Sequence, residues 1–402
     1  MIVRAHLPVL EVPGGYLHVM VPELGTCTLE SLRRRKSWKW TAYPEDVLPA
    51  WVAEMDYDIA EPIKAAVRNA LEIGDCGYPS RVGCGEAYAA FSERRFGWAP
   101  DPARVFPIPD VMTGIAEMIQ AHVTPSAAIV INPPVYPPFF FRIKLAGYRI
   151  VEAALARDAD GRYDLDLDSL DRALAQDGVA AYLLCNHHNP TGRVWSHDQL
   201  VAVADMCAER DVALLVDEIH APLVLPGADH IPFLSLEHDL TPRVHTFTSA
   251  TKAWNIPGLK CGLAVTGSES LDSALFERWE ALLAGHLGVL GTIAAFSESV
   301  GWLDAVVDQL DQNRNALSGL LESCLVDVGY SQPQASFLAW LDCRRLALGD
   351  DPSLVFLEEG RVALSPGPDF GEQGRGYVRL NMGTSPELLQ EIVRRMASSI
   401  GR

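Results

Sequence analysis

The sequence predicts an α/β architecture in which helices cover both faces of a mostly parallel central sheet and a smaller α+β domain follows. Three observations carry that expectation. Short, nearly all-apolar runs stop abruptly at polar residues, as strands buried on both faces do. These runs alternate with stretches whose apolar residues recur at helical spacing. After about residue 290 the pattern changes, to one long helix-like stretch followed by two strand-like runs.

Taken in order, residues 1–50 are irregular and rich in proline, with one helix-like piece around TLESLRRRKSW, and read as an arm. EPIKAAVRNALEIG (61–74) has helical spacing and stops at Gly74. SAAIVIN (126–132) reads as a strand, PFFFRIKLAG as a helix, YRIVEAAL as a strand and VAAYLLCN (179–186) as another. SHDQLVAVADMCAERD (196–211) is an amphipathic helix with Ser196 in the N-cap position. It leads into VALLVDEIH, an apolar run ending in acid, and RVHTFT and CGLAV flank a loop that carries two lysines. The long stretch WLDAVVDQLDQNRNALSGLLESCL precedes SFLAWLDC and YVRLNMG. The expected division is an arm over residues 1–55, a large domain over 56–288 and a small domain over 289–402, with a hinge between 285 and 300.

At 402 residues, 49% hydrophobic and 21% charged, the chain has the composition of a globular protein with a large core. Its formal net charge of −19 repels phosphate backbones, and RRRK at 33–36 is the sole basic run, so nucleic-acid binding is not expected. Eight cysteines are scattered without a Cys-x-x-Cys pair, which fits a reducing compartment. No apolar run approaches the ~20 residues of a membrane span. Arg4, Pro8, Glu11 and Pro13 interrupt the N-terminal stretch as a signal peptide, and the expected location is cytoplasmic.

The unusual residues collect at strand ends, where ligands bind in open α/β sheets. Asp217 closes VALLVD. It reads either as a loop or capping acid or, with Glu218 and His220 following, as a carboxylate for a protonated heteroaromatic nitrogen. Asn189 stands in Asn-Pro-Thr-Gly and is either a turn residue or a donor beside a ligand's acidic oxygen. His187 and His188 invite a zinc reading, but adjacent side chains diverge and no cysteine or acid stands at ligand spacing, so no metal is expected. Ser249, Thr251 and Lys260, with the backbone amides of Asp110–Gly114, offer hydroxyls, a cation and a helix start for a phosphate, although neither loop is a Walker or GxGxxG sequence. Lys252 is either a solvated loop charge or an amine kept for covalent chemistry. Arg379, inside the apolar run YVRLN, needs an anion, which is either a structural acid or a substrate carboxylate.

In combination these residues are specific. Ser-x-x-Lys with a second lysine eight residues on, Asp-x-x-His after an apolar strand, Asn-Pro-Thr-Gly and the arginine of YVRLN resemble the fold type I aminotransferase family of pyridoxal-phosphate enzymes. The likeness is closest to the cystathionine β-lyase/PatB/MalY branch of cysteine-conjugate C–S lyases. It is carried by KWTAYPEDVLPAWVAEMDYDIAEPI, GYPSRVGCGEAY, INPPVYPPFF, LLCNHHNPTGRVW, LLVDEIHAPLV, SATKAWNIPGLKCG, SFLAWLDCR and RVALSPGPDFG with GYVRLN, from about residue 35 to the C-terminus.

The resemblance implies that Lys252, Asp217 and Tyr136 carry the chemistry. Lys252 would hold pyridoxal 5'-phosphate as a Schiff base, Asp217 would pair with the ring nitrogen, and Tyr136 would stack on the ring. Asn189 and His220 would flank the ring hydroxyl, and Ser249, Thr251, Lys260 and the Val111 and Met112 amides would hold the phosphate. Tyr78 would reach the phosphate of a neighbouring subunit, which implies a homodimer. Arg379 would bind the α-carboxylate, with Trp51 and Tyr57 beside the substrate. The implied reaction is β-elimination from a cysteine S-conjugate. The alternatives are transamination, decarboxylation coupled to oxidative deamination, and a non-catalytic regulatory role. Departures from the branch pattern fall at Asn186-His187-His188-Asn189, at Pro222 and at Glu54 and Tyr57 of WVAEMDY, all near the expected substrate entrance.

Overall fold

A computed structural model describes residues 24, 25, 27–278 and 280–401, so residues 1–23 of the expected arm lie outside the described residues. Seven strands form the central sheet: β1 (Val105–Ile108), β2 (Ala128–Ile131), β3 (Arg149–Glu152), β4 (Val179–Cys185), β5 (Ala213–Asp217), β6 (His245–Thr248) and β7 (Gly262–Thr266). Their order is β1-β7-β6-β5-β4-β2-β3. Strand β7 is antiparallel to both neighbours, and the other pairs are parallel. Every residue of β2, β6 and β7 is buried. Alternation along β2 sends Ala128 and Val130 into one core and Ile129 and Ile131 into the other, which is why these runs lack a polar face.

The expected helices form close to their expected limits. Helix α1 (Glu61–Glu72) ends just before Gly74, whose φ of +74° suits glycine. Helix α2 spans Cys84–Phe96, and α3 (Val111–His122) begins at Asp110, which accepts the Thr113 amide at 2.8 Å. Helix α4 (His197–Glu209) carries a full capping box between Ser196 and Gln199. PFFFRIKLAG is helical over Pro137–Leu145. The helix-like piece near residue 30 is split into Leu29–Arg33 and Trp38–Thr41, and Arg35 between them donates to the Tyr57 carbonyl at 3.2 Å.

Helix α5 (His286–Glu298) packs on α1 and α2, then meets α6 (Val300–Cys324) at a 78° bend at Ser299. Helix α6 lies against α7 (Pro386–Ser399). A second, antiparallel sheet has the order β8-β9-β11-β10, formed by β8 (Gly329–Tyr330), β9 (Leu338–Asp342), β10 (Ser365–Pro366) and β11 (Tyr377–Asn381). Among the described residues no single helix is long and apolar enough to cross a membrane.

One segment, residues 46–57, ties the two sheets together and is built into the fold rather than free as an arm. Leu48–Pro49 pairs in parallel with Val362–Ala363. The Asn381 side-chain amide then donates to the carbonyls of Val52 at 2.8 Å and Glu54 at 2.7 Å. From the central sheet's side, Asn255 grips the backbone of Met55 in both directions, each bond 2.8 Å long. Lys39, fully buried, pairs with Asp56 at 2.7 Å and donates to Glu54 O at 2.9 Å. Removing one member of a buried pair strands the other charge. Asp56→Ala is therefore expected to lose about 3–5 kcal/mol of stability, read from urea unfolding. Replacing both partners with apolar residues should recover part of that loss.

Candidate active site

Strands β4 and β5, the β1–α3 turn and the turn after β6 bring their C-terminal ends to one cavity of about 200 Å³. Of the residues singled out in the sequence, Val111, Met112, Tyr136, Asn189, Asp217, His220, Thr251, Lys252 and Lys260 line it. The remaining wall is Ala53, Pro109, Asp110, Cys185, Ile219 and Pro257.

Lys252 follows the N-cap Ser249 on a single helical turn, Ala250–Ala253. Its amine donates to the Ala53 carbonyl at 2.9 Å, a bond to the strap formed by residues 46–57. Burial lowers its pKa from 10.5 to about 8, and the Arg379 charge adds to the effect, while Glu54 and Asp217 oppose it. Asp217 is also buried, and its carboxyl accepts one backbone bond, from Ile219 N at 3.1 Å. Burial raises its pKa to about 7 against the pull of that bond and of Lys252. His220 is held well below its ordinary value by burial, with Lys252, His187 and Arg379 contributing, and its Nδ1 lies 3.1 Å from Ser336 Oγ.

Arg379 stands on β11 beside this cavity. It donates to Asn189 Oδ1 at 3.0 Å, Trp51 O at 3.1 Å and Ser365 Oγ at 3.1 Å, and its guanidinium lies 5.0 Å from the Phe370 ring centre. No carboxylate stands within 4.0 Å of it among the described residues, and its buried Nε has no hydrogen-bond partner. Burial brings its pKa down to about 10. Because Asn189 spends its carbonyl oxygen on Arg379, its Nδ2 remains as a donor.

Not every expected residue meets the cavity. Ser249 sits one layer behind, with its hydroxyl donating to Cys261 O at 2.7 Å and accepting from Thr251 N at 3.0 Å. Lys260 does line the cavity but, in a left-handed turn with φ +56°, is ion-paired there to Asp110. Trp51 contributes its carbonyl to the site, while its ring packs edge-on against Trp38 and Tyr43. Tyr57 is buried away from the cavity lining and donates its hydroxyl to Thr384 O at 3.0 Å. Tyr78 is 91% exposed. His188 Nε2 lies 2.8 Å from Pro134 O, and no group of three or more metal-ligating side chains occurs among the described residues.

The sequence pointed to the backbone amide of Asp110 but not to its side chain, and did not single out Ser365, Ser336 or the Ala53 carbonyl. Asp110 was findable, since an aspartate directly before an apolar helix is a cap signal. The others are set by contacts between distant segments. The donor set fits pyridoxal phosphate: a desolvated amine, a buried carboxyl without a cationic partner, and unspent amides at the start of α3 together with Thr251 and Lys260.

Residues 50–396 match the family of class I and II aminotransferases. The chain belongs to that family. Two curated relatives extend the likeness within it. The cystathionine β-lyase of Corynebacterium glutamicum is 37% identical over 377 residues, covering 92% of this chain and 98% of the relative. The cystathionine β-lyase PatB of Bacillus subtilis is 34% identical over 379 residues, covering 91% and 97%. The fold superposes on the pyridoxal-phosphate-bound C–S lyase of Staphylococcus hominis with a TM-score of 0.84 at 25% identity, over 92% of this chain and 95% of that one. The family match agrees with the α/β fold and the largely parallel sheet expected from the sequence.

Only a neutral amine attacks an aldehyde, so the lowered basicity of Lys252 sets a pH dependence. Below about 8 the neutral fraction falls by about tenfold per pH unit, and above it the fraction saturates, whereas an ordinary lysine would keep rising to 10.5. The rate at which the empty protein captures pyridoxal phosphate on Lys252 should follow that curve in stopped-flow absorbance. A rate still climbing at pH 10 would contradict this assignment.

Proposed function

We propose that this pyridoxal-phosphate enzyme of the cystathionine β-lyase-like C–S lyase group cleaves cysteine S-conjugates by β-elimination, giving thiol, pyruvate and ammonia. The observation that carries the reading is Arg379, a buried guanidinium answered only by neutral acceptors, next to the cavity that holds Lys252 and Asp217. A substrate α-carboxylate would supply the charge that Arg379 lacks among the described residues, through a two-pronged contact. The apolar part of the wall, Ala53, Pro109, Ile219 and Pro257, suits the apolar arm of a thioether.

Bound in this cavity, pyridoxal phosphate supplies an electron sink for charge developing at the substrate Cα. Asp217 would hold the proton on the ring nitrogen, and Tyr136 would cover the ring face. Asn189 Nδ2 and His220 would meet the ring hydroxyl. Thr251, Lys260 and the Val111 and Met112 amides would hold the phosphate, with Ser249 buttressing Thr251 from behind. The Lys252 amine would take the Cα proton, and the thiolate would leave Cβ with the bonding electron pair. The released enamine hydrolyses to pyruvate and ammonia. Trp51 shapes the entrance through its carbonyl contact with Arg379, and Tyr57 does so by anchoring the strap.

The exposed Tyr78 supports a homodimer in which it completes the phosphate site of the partner subunit. Residues 56–288 form the cofactor domain in this scheme. Residues 289–402, with the described part of the 1–55 arm, form the small domain that carries Arg379.

S-alkyl-L-cysteine tests the proposal. The wild type should release free thiol and pyruvate in equal amounts, and Lys252→Ala should lose at least roughly 10²–10⁴-fold in rate. Transfer of the amino group to a keto acid without thiol release would make the enzyme an aminotransferase instead. Release of carbon dioxide would indicate the decarboxylative route. Arg379→Met should raise KM for the amino acid far more than for the S-alkyl cysteamine that lacks the carboxylate.

A further inference from the structure

Ser336 occupies a position that its residue type does not favour. Its φ is +76°, the left-handed region where glycine is comfortable and a side chain carries strain. The surrounding backbone holds it there. Ser336 N donates to Leu223 O at 2.9 Å, while Leu225 N donates to Gln334 O at 2.9 Å and Met382 N to Phe337 O at 2.8 Å. The side chain is 4% exposed, and the hydroxyl's hydrogen-bond partner is His220 Nδ1 at 3.1 Å. His220 is itself 3% exposed, packs edge-on against Phe337 and lines the cavity.

We propose that Ser336 is a positioning residue that fixes His220 as the tautomer protonated on Nε2, making His220 a hydrogen-bond donor into the cavity. Two arrangements are open to the pair. If Nδ1–H donated to the serine, the buried hydroxyl hydrogen would be left without an acceptor. If the serine donates to Nδ1, only a lone pair goes unused, which costs less than an unmade donor. The second arrangement leaves Nε2–H facing the cavity. The charged and titratable groups around the imidazole are Lys252, Arg379 and His187, with Asp217 on the same cavity wall. Positive charge on Lys252 and Arg379, together with burial, keeps the ring neutral, so it delivers one directed donor rather than a cation. This assignment rests on the cofactor reading above and concerns the oxygen that His220 meets there, the ring hydroxyl. A donor at that oxygen favours its ionised form.

The test is the pH midpoint of the visible absorbance of the protein loaded with pyridoxal phosphate, compared among wild type, Ser336→Gly, Ser336→Ala and His220→Phe. Ser336→Gly removes the hydroxyl and relieves the backbone, so it should melt no lower than wild type. The assignment expects the midpoint to rise by about half a pH unit or more in both serine variants, in the direction of His220→Phe. If Ser336→Ala does not fold, Ser336→Gly alone decides. Midpoints equal to wild type in the folded serine variants would overturn the assignment while leaving the cofactor reading intact. Failure of the wild type itself to take up the cofactor would instead bring down that underlying reading.

Discussion

Desolvation of three charges against one small cavity is the constraint around which this structure is organised. Arg379 and Asp217 are buried and Lys252 is half-buried beside them, yet none forms an ion pair with another. Neutral dipoles answer each of them: a side-chain amide, a hydroxyl and three backbone groups. Burial consequently moves all three towards neutrality, to about 10, about 8 and about 7. In a purely structural core such groups would be paired or replaced by apolar residues. Their arrangement is favourable only toward a partner that brings opposite charges of its own, and for that reason the site reads as a binding and reaction centre.

The strap formed by residues 46–57 makes those dipoles available. Its carbonyls serve both sides: Ala53 O accepts from Lys252, Trp51 O accepts from Arg379, and Val52 O and Glu54 O accept from Asn381. Two asparagines, Asn255 from the central sheet's loop and Asn381 from the end of β11, set its height over the cavity. The Lys39–Asp56 pair fixes the strap from beneath. Lysine and arginine are thus positioned against the same few peptide groups, and a shift of the strap would displace both.

Much of this was legible in the chain, and the parts that were not share a cause. Strands buried on both faces betray themselves as apolar runs, and the polar residues at or just beyond their ends, Asn189, Asp217 and Ser249, mark the ligand end of the sheet. Patterns of two and 3.6 residues report on a segment's own faces. They say nothing of which distant segment it meets. Ser365, Ser336 and Asn381 act across the join between sheets, so no local pattern distinguishes them from ordinary loop or strand residues. The same blindness explains Tyr57. An aromatic in WVAEMDY, expected beside the substrate through family likeness, directs its hydroxyl to Thr384 O and the α6 side of the strap.

The reversed strand β7 has a consequence for the order in which the site assembles. Because it returns antiparallel beside β6, with Leu263 opposite Thr248, the loop bearing Lys252 and Lys260 closes on itself. Ser249 reaches Cys261 only 12 residues away. Arg379, by contrast, draws on Ser365 at 14 residues, Asn189 at 190 and Trp51 at 328. Closing short loops costs less chain entropy than closing long ones. The frame of the lysine loop can therefore close from contacts a dozen residues apart, whereas its two lysines reach Ala53 at 199 residues and Asp110 at 150, and the grip for the carboxylate joins segments as far apart as Trp51 and Arg379.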